Sequence, residues 1–127
     1  MNIPGLVTPF RAGGAIGKRR LVIHGAADGV ALQAAATTAL LIGVTTDIPA
    51  ASGETVDVIR DGLADVEYGG TVARGAFLTS DSVGRAVAVT LPVAAGTYVI
   101  GTAEVAGVLG DIGSVAINPN YLVKPGT

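Results

Sequence analysis

From residue 21 onward, apolar and polar positions follow a period of two in short bursts. In Val56-Asp57-Val58 a carboxylate sits between two valines, the pattern of a strand with one wet face. In Arg85-Ala86-Val87-Ala88-Val89 small alanines alternate with larger valines, which suits a tightly curved barrel whose two faces differ in room. Runs of Val, Ile and Thr are bounded by Gly, Asp, Ser and Pro, the grammar of short strands and turns. The pattern predicts strands over 21–24, 30–33, 40–45, 55–60, 63–68, 76–79, 85–90, 97–104 and 114–118. Asp61-Gly62 is a tight-turn dipeptide, so 55–60 and 63–68 are expected to pair as a hairpin. The alanine-rich stretches 34–39 and 92–95 have room for one helical turn each, too short for a packed helix.

Residues 1–20 break this pattern. Pro4, Pro9, Gly5, Gly13, Gly14 and Gly17 fall here with four basic residues and no acid. Such a density of Pro and Gly disfavours a helix or a central strand. The expectation is an extended N-terminal arm over 1–20 and a β-barrel-like domain over 21–127. The apolar positions Ile3, Pro4, Leu6, Val7 and Phe10 are too many for a solvated tail. With Arg11, Lys18, Arg19 and Arg20 they are the candidate residues for docking on another chain; the plainer alternative is an arm tucked against its own domain. A faint internal echo links Ile42-Gly43-Val44-Thr45 and its following strand to Ile100-Gly101-Thr102-Ala103 and its own. It reads as two similar hairpins or as a duplicated unit.

Composition narrows the function. Half of the 127 residues are apolar, yet only 4% are aromatic and 14% charged, against about 25% charged in a typical soluble domain. Apolar surface is therefore left over for other subunits or a partner to cover. Without cysteine there is no disulfide framework, thiolate site or Cys nucleophile. The single His24 cannot make a multi-histidine metal site. A net charge of −2 is not that of a general nucleic-acid binder. The charge-free stretches 29–46 and 86–103 are interrupted by Thr, Gly, Gln or Pro and read as strand pairs rather than membrane spans. The N-terminus has no basic region followed by an apolar run, so no signal peptide is expected.

Candidate chemistry is sparse. Gly13-Gly14-Ala15-Ile16-Gly17-Lys18-Arg19 nearly matches a phosphate-binding loop, but Arg19 stands where a Mg²⁺-binding Ser or Thr belongs. Asp57, Asp65 and Glu67 lie on strands, where a solvated face is the expected reading. Ser80-Asp81-Ser82 reads as a turn, and His24 as a structural residue. Around 70–78 the chain is like biotinyl and lipoyl carrier domains, but no lysine stands in a hairpin turn. No catalytic residue, cofactor or metal is expected, and the chain reads as non-enzymatic.

Several motifs, in order, carry a resemblance. They are Ile42-Gly43-Val44-Thr45, Gly53-Glu54-Thr55-Val56-Asp57-Val58, Arg60-Asp61-Gly62-Leu63-Ala64 and Gly70-Thr71-Val72. They continue through Gly75-x-x-Leu78-x-Ser80-Asp81-x-x-Gly84-Arg85-Ala86 to Ile100-Gly101-Thr102-Ala103, Gly110-Asp111 and Val115-Ala116-Ile117. From residue 40 to the last strand the chain resembles the capsid cement, or head-decoration, proteins of tailed bacteriophages. The resemblance implies an all-β fold: a small β-barrel or β-tulip-like domain of short antiparallel strands with an extended N-terminal arm. It implies a homotrimer, less often a dimer, made in the host cytoplasm. The implied place is the outer surface of the mature head, with no direct nucleic-acid or membrane contact. There it would bridge subunits of the major capsid protein and hold the shell against the pressure of packaged DNA. The alternative is a small β-barrel surface-binding module, a virion receptor or carbohydrate binder, although scarce aromatics argue against a sugar platform.

Overall fold

The computed structural model describes residues 2–125, and every regular element in them is a strand. Eleven strands run in chain order: β1 (Ile3–Pro4), β2 (Val7–Ala12), β3 (Leu21–His24), β4 (Val30–Gln33), β5 (Leu41–Thr45), β6 (Thr55–Ile59), β7 (Gly62–Glu67), β8 (Phe77–Ser80), β9 (Ala86–Ala88), β10 (Thr97–Ala103) and β11 (Ile112–Leu122). Five close a barrel in the order β2-β4-β3-β5-β6, and six form a sheet in the order β1-β7-β11-β10-β8-β9. The all-β fold with a small barrel is thus as expected. The one-turn helices allowed at 34–39 and 92–95 are bends and irregular chain instead.

Two cores follow from this arrangement. Ala12, Ile16, Val22, Ala31, Ile42, Ala50, Val56 and Val58 fill the barrel. A second cluster packs the barrel wall (Leu21, Leu41, Val44, Ile59) against the sheet (Ala64, Val66, Leu78, Ile100, Val115, Ile117). β5 is buried along its whole length because Ile42 serves the barrel core while Leu41 and Val44 serve the other. The side chains are nearly all aliphatic, so the cores are built from many small contributions, each about 1.5–3 kcal/mol for a buried Val, Leu or Ile. Tyr68 is the exception. Its ring is fully buried and its hydroxyl donates to the Val105 carbonyl at 2.8 Å.

The N-terminal segment is the main departure from expectation. β2 pairs with β6 over Val7–Arg11 and in parallel with β4 at Arg11 and Ala12. It therefore closes the barrel instead of projecting from it. Its alternation is that of a strand, with Phe10 half-buried, Ala12 buried, and Val7, Pro9 and Arg11 outside. Pro9 is tolerated for a local reason. The amides of Arg11 and Gly13 point to the β4 side, to Gly29 and Ala31 carbonyls, while that of Ala12 points to Glu54. The Pro9 nitrogen falls on the same side as that of Arg11, at a level where β4 has not yet joined, so no ladder bond is lost.

The hairpin expected around Asp61-Gly62 also differs. β6 pairs with β2 and β5, whereas β7 pairs with β1 and β11. The turn, with Gly62 at φ 83°, hands the chain from barrel to sheet. The echoed motifs are hairpins, β5–β6 and β10–β11, one in each layer. Their glycines do the same work: a Cβ on Gly43 would run into the Ile59 carbonyl, and one on Gly101 into that of Ala116.

Candidate functional site

The nine candidate docking residues separate into three groups. Ile3, Leu6 and Val7 expose apolar side chains at 56, 53 and 41%, and Pro4 is exposed beside them. Arg11 and Lys18 are exposed, and Arg19 is half-buried with a left-handed backbone, φ 54°. Phe10 and Arg20 turn inward. Phe10 packs against the barrel core, with the His24 ring 6.1 Å away and the Arg60 guanidinium 5.5 Å from its centroid. Arg20 is committed to the protein's own interior.

That commitment is an ion network across the two layers. Arg20 Nη1 lies 3.1 Å from Glu67 Oε1, close in charge but off the angle of an aligned hydrogen bond. Glu67 Oε2 is 3.9 Å from Arg85 Nη1, and Arg85 Nε donates to Asp81 Oδ2 at 2.8 Å. Glu67 is therefore a half-buried tie between loop, barrel and sheet, not the solvated carboxylate expected. Asp81 Oδ1 also accepts from the amides of Val83 and Arg85, at 2.9 and 2.8 Å. Burial pushes this carboxyl up, but those amides and the Arg85 guanidinium outweigh it and hold Asp81 below the usual carboxylate value. The turn expected at Ser80-Asp81-Ser82 starts later than expected: Ser80 is the buried last residue of β8, and the turn at 82–83 that follows is capped by Asp81.

The near phosphate-loop is bound up internally. Its Gly17 amide donates to Gln33 Oε1 at 2.8 Å, and Ile16 and Arg19 amides donate to the Ala50 and Thr46 carbonyls. Thr45 Oγ1 donates to the Gly17 carbonyl and accepts from the Arg20 amide. Tyr68 is likewise structural: burial, then the nearby Asp111 charge, raises its hydroxyl above the ordinary tyrosine value.

One arrangement was not legible in the sequence. Arg60 leaves β6 beside Leu6, His24, Leu40, Leu41, Ile42 and Pro119, which together line a cleft of about 310 Å³. These residues come from distant parts of the chain, so no local motif marks them. The only sequence sign is Arg60 itself, a cation at the end of an apolar strand and directly before a turn.

No protein-family model and no curated protein matches the chain. The architecture nevertheless defines a class: a small all-β domain in which a closed barrel packs on an antiparallel sheet. A solved member of that class is the N base of head fiber gp8.5 of bacteriophage phi29. It superposes with a TM-score of 0.69 at 22% identity, over 89% of this chain and 93% of that one. At this identity the likeness is one of fold.

Proposed function

We propose that the chain is a structural protein of a tailed-phage head. It sits on the outer surface of the mature shell, most simply as a homotrimer, and bridges major capsid protein subunits as a cement. The observation that carries this reading is the fold shared over nearly the whole chain with the base of a phage head fiber. The family resemblance of the 40–118 motifs, found from residues alone, points the same way. The polar groups give a third line of support: Arg20, Glu67, Asp81, Arg85, Thr45 and Tyr68 are engaged in holding the fold. Action is then by contact. Exposed apolar residues such as Ile48, Leu91, Leu109 and Val123 support burial against other chains. Contacts made only to the expanded shell stabilise it by linkage, because the ruptured state lacks them. The test is thermal DNA release from full heads with and without the protein. Release at higher temperature with the protein supports a cement; equal temperatures defeat it.

A further inference from the structure

The cleft is lined by Arg60, His24 and five apolar residues. The Arg60 guanidinium is fixed by three contacts: Nε donates to the Ile42 carbonyl at 3.0 Å, Nη1 to Thr8 Oγ1 at 3.4 Å, and Cζ lies over the Phe10 ring. Among the described residues no carboxylate pairs with it and no acceptor reaches its Nη2. Asp61, next in the chain, is occupied elsewhere: its Oδ1 accepts the Leu6 amide at 2.5 Å. That bond also sets Leu6 in the cleft wall. Leu40, 47% exposed, lines the same cleft with Leu41, Ile42 and Pro119.

We propose that this cleft binds an extended, acidic–aliphatic segment of a partner protein, with its carboxylate on Arg60 and a neighbouring aliphatic side chain between Leu6 and Leu40. Within the reading above, that partner is the shell protein. Three observations select this occupant. A pre-positioned guanidinium lacking a carboxylate matches an Asp or Glu side chain, with which it makes charge-assisted bonds. The cleft's volume lies at the low end of the range of about 300–1,000 Å³ for small-molecule sites, enough for one or two side chains. Leu6 in the lining and Val7, next to it in the chain, are exposed apolar residues, which suits a chain running past the cleft better than a ligand enclosed by it. β11 contributes Pro119 to the lining, and beyond the Ile117–Gly62 pair no strand among the described residues pairs with its β7-facing edge. Pro119 has no N–H to offer to that edge, so recognition here is by side chains rather than by strand addition.

The probe is the blocked peptide acetyl-Gly-Leu-Glu-Leu-Gly-amide, titrated into ¹⁵N-labelled full-length protein, with its Glu-to-Gln counterpart as control. The expected result is saturable shifts at Arg60 Nε and at the Leu6, Leu40 and Leu41 amides. The Gln peptide binds about five-fold more weakly, as the loss of one exposed charge pair implies. Leu40→Asp, at an exposed position, keeps a folded spectrum and loses the shifts. Absent shifts, equal shifts from the Gln peptide, or unchanged shifts in Leu40→Asp overturn the proposal. A second arm sediments protein with mature heads. Wild type binding with Leu40→Asp about ten-fold weaker supports the shell protein as partner. Equal binding of both overturns the cleft assignment and leaves head attachment standing. No binding of wild type overturns the head reading itself.

Discussion

At the scale of single residues, the molecule spends its few polar side chains on its own loops. Asp81 is the clearest case, because one carboxylate serves two amides and a guanidinium. Asp81→Ala is expected to cost about 1–3 kcal/mol by leaving these donors unmet; Asp81→Asn, which keeps an acceptor, costs less. Urea unfolding at neutral pH measures both. The sign with pH follows from the lowered value of Asp81. Its contribution is present above the ordinary value of 3.8 and is lost as pH falls through the lower folded one. Asp81→Asn therefore flattens the acid limb of the stability profile. Tyr68 behaves oppositely. Its raised value means stability is intact below pH 10.0 and declines as pH climbs through the folded value. Tyr68→Phe should lose about 1 kcal/mol near neutrality and show a flatter alkaline limb in thermal melts. Turn aspartates are legible in a sequence. The Arg60 cleft is not, because its walls come from positions as far apart as Leu6 and Pro119.

At the scale of elements, alternation in Val56-Asp57-Val58 and Arg85-Ala86-Val87-Ala88-Val89 and the Val/Ile/Thr runs locate β3 to β10 to within a residue or two. β11 is longer than its motif, because its last residues form a ribbon with β10 alone and carry Asn118, Pro119 and Asn120, poor strand formers. β2 escaped because Pro9 argues against a strand unless its nitrogen faces an unpaired side, which depends on where β4 begins. Asp61-Gly62 misled because a tight turn shows that the chain reverses, not which layer it enters. Deleting residues 2–12 is accordingly expected to open the barrel between β4 and β6. Circular dichroism should show loss of the cooperative melt; a truncated chain that melts like the full one would show β2 to be dispensable. Gly43→Ala, forced against the Ile59 carbonyl, should cost about 1–3 kcal/mol. Gly70→Ala, where a Cβ meets nothing within 4 Å, should stay within about 0.5 kcal/mol.

At the scale of the whole molecule, the fold places Ile3, Leu6 and Val7 outside while using the backbone that carries them to close the barrel and extend the sheet. The proposed head-binding surface is thus rigid before binding, which reduces the ordering cost of association. Arg11 and Lys18 remain exposed, so binding to heads should weaken as salt rises above about 0.15 M, where the screening length is about 8 Å. Arg20, held by Glu67, should contribute little to that dependence. Head attachment is tested most directly by difference imaging: reconstructions of mature heads purified with and without the protein, compared at equal resolution. The account predicts extra density on the outer surface, repeated at equivalent lattice positions and sized for a barrel packed on a sheet. Heads that are identical in the two reconstructions would contradict it.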